Sequence, residues 1–158
     1  MAFGSLSVKG RALRYLGQRE HSRAELERKL RRHVEDTHDA PAAAQIAAVL
    51  DELTAHGLIS ESRVAESVLN SQAPRYGARR LKQTLQAKGL DPELVASTLQ
   101  QARGTELDRA RDIWRRRFGT QAANATERAR QMRFLAGRGF EGDVIRRVVQ
   151  GSDDDLGL

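Results

Sequence analysis

Apolar positions along the chain recur with the three- and four-residue spacing of amphipathic helices. Leu26 and Leu30 lie four residues apart, as do Val49 and Leu53. The common residues Ala, Leu, Arg, Gln and Glu favour helices, whereas the chain has only three prolines and no run of alternating β-branched residues. The pattern therefore predicts an all-α protein.

The helical pattern recurs about every 50 residues, a period typical of repeat proteins. Three helices carry an apolar pair at positions i and i+4, namely Ala12 with Leu16, Ala65 with Leu69, and Ala110 with Trp114. Gly89 follows Lys88 as Gly139 follows Arg138, and glycine after a basic residue is typical of a helix end. We therefore expect three tandem three-helix repeats, each like a helix-turn-helix, in an elongated, curved array.

The predicted repeats span residues 1–59, 60–103 and 104–151. Ser22 and Glu25 form a capping-box pattern at the start of a helix in the first repeat. Residues 103–105 and 119–125 are predicted joints, and Gly104 is a candidate hinge. Residues 152–158 form an acidic tail that we expect to be disordered. Three small cores in series fit an apolar content of 39% with only 4% aromatic residues.

Charge and cysteine content limit the classes of partner and site. The chain has 27 Lys and Arg against 21 Asp and Glu, and its isoelectric point is near 10.4. This balance indicates a polyanionic partner, either nucleic acid or an acidic protein surface. The absence of cysteine excludes disulfides and thiolate sites and fits the cytoplasm. With no signal peptide and no run of about 20 apolar residues, we expect neither secretion nor a membrane span.

Catalytic and metal-binding patterns are weak. Imidazoles and carboxylates cluster in one short segment, at His33, Glu35, Asp36, His38 and Asp39. Their spacing is not a recurrent ligand pattern, and no distant His or Cys completes a shell, so we predict no metal site. His21 and His56 lie at predicted helix ends, where they are expected to bond carbonyls or meet solvent. Without a nucleophilic arrangement or a glycine-rich phosphate loop, the sequence predicts a protein that is not an enzyme and has no cofactor.

Two basic segments are candidate contact surfaces. Residues 75–82 begin a helix whose outward face carries Arg79 and Lys82, with few acidic residues nearby. Residues 113–118 contain three consecutive arginines, and Asp112 is expected to pair with Arg116 at i+4. Trp114 and Phe118 are expected in the core rather than as base-stacking platforms. A solvated helix face is the common interpretation of such segments, but the unpaired charge favours a partner.

Four segments resemble the RecX family of recombinase regulators, and the likeness covers roughly residues 8–150. They are ALRYLGQREHSRAELERKL at 12–30, LDELTAHGLISESRVA at 50–65, YGARRLKQTLQAKGL at 76–90 and RFLAGRGF at 133–140. The resemblance implies a protein that lies in the groove of the RecA filament on single-stranded DNA. It also implies restraint of the filament's ATP hydrolysis, strand exchange and co-protease activity. We expect a monomer.

The clustered, unpaired charge predicts which residues contact the partner. They are Arg75, Arg79, Arg80, Lys82, Lys88, Arg115, Arg116, Arg117, Arg130, Arg133 and Arg138. Which of them contact protein and which contact DNA is left open. The alternative function is direct DNA binding by a helix-turn-helix-like unit, in which Arg146, Arg147 and Gln150 of the last predicted helix reach the DNA.

Overall fold

The computed structural model describes residues 5–151, and the regular structure in this range is entirely α-helical, as predicted. The helices are α1 Val8–Gln18, α2 Arg23–Arg31, α3 Ala42–Ala55, α4 Glu61–Gln72, α5 Ala78–Ala87, α6 Pro92–Arg117, α7 Ala125–Gly137 and α8 Gly142–Gln150. None of the helices within this range is both long and apolar enough to cross a membrane. The predicted acidic tail, residues 152–158, lies outside the described residues.

Helix α6 is a single helix of 26 residues. The joint predicted at residues 103–105 is therefore wrong, because Arg103, Gly104 and Thr105 are helical. One glycine inside a helix costs only about 1 kcal/mol relative to alanine, and buried Ala102 and Glu106 anchor the helix on both sides of Gly104. The second predicted joint is confirmed, since α6 ends before Gly119, which has a φ of 70°, and α7 begins at Ala125.

Contacts divide the chain into two compact units. Within residues 5–151, the N-terminal unit comprises residues 5–67 and Ala87–Asp91, and the C-terminal unit comprises Val68–Gln86 and residues 92–151. This division follows contacts rather than sequence similarity, so the repeat boundaries at 59/60 and 103/104 stay predictions.

The N-terminal unit is built on α1, α2 and α3. Its buried core consists of Ala12, Leu26, Leu30, Ile46, Leu50, Leu53 and Ile59. The predicted capping box is confirmed: Ser22 Oγ accepts from the Glu25 N–H, and Ser22 N–H donates to Glu25 Oε1, both at 3.1 Å. The two side chains satisfy N–H groups that the first turn of α2 leaves without helical partners.

The segment of residues 33–39, rich in histidine and carboxylate side chains, makes hydrogen bonds to the first turn of α3. Asp36 Oδ1 accepts from the Ala42 N–H at 2.7 Å, and Gln45 Nε2 donates to the Glu35 carbonyl at 3.0 Å. Within residues 5–151, no three His, Cys, Asp or Glu side chains are grouped so as to hold a metal ion. The residues of this segment that make contacts thus serve a local structural role.

The C-terminal unit has a separate core formed by α6, α7 and α8. Its buried residues are Ala110, Leu135, Phe140, Ile145, Val148 and Val149. Trp114 and Phe134 are partly buried and pack against this core. The expected core role of Trp114 is therefore confirmed. The indole N–H of Trp114 donates to Gln131 Oε1 at 2.9 Å, and Gln131 in turn donates to the Thr120 carbonyl.

Candidate functional site

Two helix-connecting turns of the C-terminal unit are bonded to each other through their backbones. The Gly77 N–H donates to the Arg138 carbonyl at 2.9 Å, and the Arg79 N–H donates to the Gly139 carbonyl at 3.0 Å. A Cβ at Gly77 would collide with the backbone of Gly139 and Phe140. Gly139 has a φ of 84°, which disfavours other residues. Glycine thus lets the α4–α5 turn approach the α7–α8 turn.

The buried carboxylate of Glu106 connects the starts of the two helices that follow these turns. Glu106 is only 3% exposed, and its Oε1 accepts from the N–H groups of Ala78 and Glu141, each at 3.2 Å. These N–H groups lie at the starts of α5 and α8, where a negative charge is favourable. Sequence reasoning missed this role, because an acidic residue in a long helix is usually solvated.

Arg109, one turn after Glu106, bonds backbone carbonyls instead of a ligand. Its guanidinium donates to the carbonyls of Tyr76 at 2.6 Å and Ala102 at 2.7 Å, and also to that of Ala73. Burial lowers the pKa of Arg109, whereas the negative charge of Glu106 raises it. Arg109 was also missed, because the sequence does not distinguish it from the solvated arginines of α6.

Three arginines near the two bonded turns lie over the rings of Tyr76 and Phe134. The Arg80 guanidinium carbon lies 4.0 Å from the centroid of the Tyr76 ring. Arg138 lies 5.8 Å from the Tyr76 centroid and 5.3 Å from the Phe134 centroid, and Arg117 lies 5.5 Å from Phe134. These cation–π contacts hold the guanidinium groups without neutralising them.

A pocket of about 270 Å³ opens beside these rings. We call it the arginine pocket, and it is lined by Pro74, Arg75, Ile113, Arg116, Arg117, Phe134 and Arg138. None of its four guanidinium groups has a carboxylate partner among residues 5–151. The pocket therefore combines uncompensated positive charge with an apolar wall.

The structure brings together only some of the predicted contact residues. Arg75, Arg116, Arg117 and Arg138 line the arginine pocket, and Arg80 lies against Tyr76 beside it. The others in the C-terminal unit are exposed on helices outside the pocket lining, namely Arg79, Lys82, Arg115, Arg130 and Arg133.

The predicted pair between Asp112 and Arg116 is wrong. Asp112 Oδ1 instead lies 3.8 Å from Arg115 Nη1, one residue earlier on α6. Both i+3 and i+4 neighbours share a helix face, so spacing alone cannot decide between them. Arg115 also lines a second pocket of about 240 Å³ with Trp114 and Arg147, whereas Arg116 turns to the arginine pocket.

Lys88 lies in the N-terminal unit, where the carboxylate of Glu25 balances its positive charge. Its Nζ is 3.1 Å from Glu25 Oε1, and its carbonyl accepts from Ser22 Oγ at 2.6 Å. Burial alone would raise the pKa of Glu25, but hydrogen bonds from Arg19, Ser22 and Lys88 outweigh it and lower the pKa to about 2. The charge of Lys88 therefore serves a buried ion pair.

His21 is fully buried and bonds a carbonyl, as expected. Its Nδ1 lies 3.0 Å from the Arg19 carbonyl, and its Nε2 lies 2.8 Å from Lys29 Nζ. Burial lowers the pKa of His21, and it lowers that of Lys29 as well. A neutral imidazole that donates from Nδ1 and accepts at Nε2 satisfies both contacts.

Family models and individual relatives that are similar to this chain all belong to the same family. Family models match residues 60–99 as "RecX, second three-helix domain" and residues 105–149 as "RecX, third three-helix domain". A regulatory protein RecX from Leptothrix cholodnii is 50% identical over 150 residues, covering 95% of this chain and 92% of the relative. One from Ralstonia nicotianae is 43% identical over 148 residues, covering 94% of this chain and 89% of the relative.

A solved structure supports the fold. The crystal structure of RecX from Lactobacillus salivarius superposes with a TM-score of 0.72 at 22% identity. The match covers 90% of this chain and 92% of that one. At this identity the likeness concerns the fold alone.

Proposed function

Because the chain belongs to the RecX family, we propose that it binds the RecA filament on single-stranded DNA and mainly inhibits it. The inhibited activities are the filament's ATP hydrolysis, strand exchange and co-protease function. The protein acts in the cytoplasm as a monomer and needs no cofactor. Occupation of the filament is sufficient for inhibition, so the protein requires no catalytic group of its own.

The arginine pocket is the observation that carries this proposal. Its four guanidinium groups converge without a carboxylate partner in the described part of the chain. Arginine binds phosphate and carboxylate groups through paired N–H donors, and both groups belong to a nucleoprotein filament. The pocket thus presents the charge that such a polyanionic partner requires.

The exposed cations outside the pocket extend the proposed contact surface. Arg79 and Lys82 lie on α5, and Arg130 and Arg133 lie on α7. We assign smaller contributions to Arg115, beside Asp112, and to Lys88, which Glu25 compensates.

The test is RecA-dependent ATP hydrolysis on single-stranded DNA, with this protein added at substoichiometric to equal amounts. The wild type should inhibit, and the Arg79→Glu/Lys82→Glu variant should require a higher concentration for the same inhibition. The control, Arg14→Glu/Arg103→Glu, reverses two exposed cations outside the proposed surface and makes the same change in net charge. Equal inhibition by both folded variants would contradict the assignment of α5 to the contact surface.

Direct DNA binding is the second candidate function. Arg146 and Arg147 are exposed on α8, the last helix of the C-terminal unit, and Arg147 lines the second pocket beside Trp114. Basic residues on the final helix of a three-helix unit are typical of major-groove contact. A wild type that leaves RecA unaffected but binds duplex DNA would favour this function.

A further inference from the structure

We propose that the arginine pocket is a subsite for one nucleotide of single-stranded DNA, which the chain binds directly. The inference goes beyond the proposed function, because this binding needs no recombinase. It assigns the phosphate to the guanidinium groups and the base to the apolar wall.

The arginines proposed to bind the phosphate are already held in position. Arg117 and Arg138 both lie against the Phe134 ring, with guanidinium carbons 5.5 and 5.3 Å from its centroid. A guanidinium held over a ring face keeps its in-plane N–H donors, and these match phosphate oxygens in pairs. Because the rings already restrict the side chains, binding costs less rotamer entropy than it would for mobile surface arginines.

The apolar wall favours a nucleotide over an acidic peptide. Phe134, Ile113 and Pro74 line the same pocket as the four arginines. A carboxylate would use the guanidinium groups but leave this wall in contact with water. A base in a single strand exposes its apolar face and can pack there, whereas a base in a duplex remains stacked.

The size of the pocket agrees with this occupant. Its volume of about 270 Å³ exceeds what a phosphate group alone would fill. It is close to the lower end of ligand pockets, about 300 Å³, which suits one nucleotide rather than a larger ligand.

Tyr76 and Arg80 extend the cluster of arginines and aromatic rings beyond the pocket lining. Arg138 lies against Tyr76 as well as Phe134, and Arg80 lies 4.0 Å from the Tyr76 centroid. Aromatic and basic side chains that alternate in this way are typical of single-strand binding surfaces. Arg80 is therefore placed to contact the next phosphate.

The experiment measures fluorescence anisotropy of a labelled oligodeoxythymidylate with the full chain, without RecA, across a salt series. Each phosphate contact makes the slope of log affinity against log salt concentration steeper by about 0.7. One contact therefore raises the affinity at 0.1 M salt about fivefold relative to the affinity at 1 M salt. We expect Arg116→Gln and Arg117→Gln each to make the slope shallower by about 0.7 and to lower the affinity at 0.1 M salt about fivefold. The control, Arg103→Gln, changes an exposed arginine of the same helix outside the pocket and should leave affinity and slope unchanged.

A second variant removes the ring that is proposed to contact the base and that also positions Arg117 and Arg138, while leaving the number of guanidinium groups unchanged. Phe134→Leu keeps an apolar side chain against the core but removes the ring. Since stacking of a base on an aromatic side chain contributes at least about 1 kcal/mol, affinity should fall about fivefold or more with an unchanged salt slope. A thermal melt reports whether the variant is folded.

Several results would overturn the inference. They are the absence of oligonucleotide binding, equal affinity of Arg116→Gln and Arg103→Gln, and a duplex that binds as tightly as the single strand. Polyglutamate that competes as well as DNA would assign the pocket to an acidic protein surface instead. None of these measurements contains RecA, so their failure is distinct from failure of the ATP-hydrolysis test.

Discussion

Replacing Gly77 with alanine tests whether the joined turns exist in solution. The new Cβ would collide with backbone atoms of Gly139 and Phe140, which cannot rotate away as a side chain can. Gly77 does not have a positive φ, so the penalty comes from the collision rather than from the backbone conformation. Relief of the collision would separate the turns and break the hydrogen bonds from Gly77 and Arg79.

The magnitude follows from these losses. Two hydrogen bonds contribute about 1 kcal/mol each, and overpacking costs about 1–3 kcal/mol, so the free energy of unfolding should fall by about 3–5 kcal/mol. At about 2–4 °C per kcal/mol for a chain of this size, Tm should fall by about 6–20 °C.

The assay is thermal unfolding followed by far-UV circular dichroism and by the fluorescence of Trp114, the single tryptophan, which reports on the C-terminal unit. Gly137→Ala is the matched control, because a Cβ there meets nothing within 4 Å. A Gly77→Ala protein that is within about 1 kcal/mol of the control would refute the close approach of the turns, since the smallest collision cost is about that large.

Four further outcomes are expected. Gly104→Ala should stabilise the protein by about 1 kcal/mol in urea unfolding, because Gly104 lies inside α6 with open space around it; destabilisation would contradict the continuity of the helix. Glu106→Ala should destabilise by about 2–4 kcal/mol by the same assay, because two helix-start N–H groups lose their acceptor, and Glu106→Gln should recover part of the loss. The folded pKa of Glu25 is about 2, against 4.5 for the ordinary group, so up to about 3 kcal/mol of stability should be lost as pH falls from about 4.5 to 2; melts of Glu25→Gln that show the same loss would disprove this source. Burial lowers the pKa of His21 below 6.5, so stability should decline as pH falls below 6.5, and a His21→Gln variant with an undiminished decline there would place the effect elsewhere.

The helices and their ends could be predicted from the sequence because they depend on near neighbours. Ser22 and Glu25 are three residues apart, and their capping box forms as predicted. Gly89 and Gly139 have φ values of 68° and 84°, as expected for glycines that end helices. Gly104 shows the limit of this reasoning, because a glycine inside a helix and a glycine in a joint look alike in sequence.

The candidate site could be predicted only in part, because its geometry depends on distant pairs. The sequence shows that arginines cluster near positions 75–82, 115–117 and 138, but not which of them converge. Their convergence depends on contacts between distant parts of the chain, among them the hydrogen bond from the Gly77 N–H to the Arg138 carbonyl. Lys88 looks equivalent to the pocket arginines in sequence, yet its partner Glu25 lies 63 residues away.

The net charge of +6 is therefore a poor measure of how strongly this chain attracts a polyanion. Arg109 and Lys88 are held by backbone carbonyls or by a buried carboxylate, and their charge serves the fold. Arg117 and Arg138 are held by the Phe134 ring, which fixes their position without cancelling their charge. Because only cations that the fold leaves without a carboxylate or carbonyl partner can replace the counterions condensed on a nucleic acid, the salt dependence of binding should follow the arginine pocket and the exposed cations beside it rather than the total number of Lys and Arg.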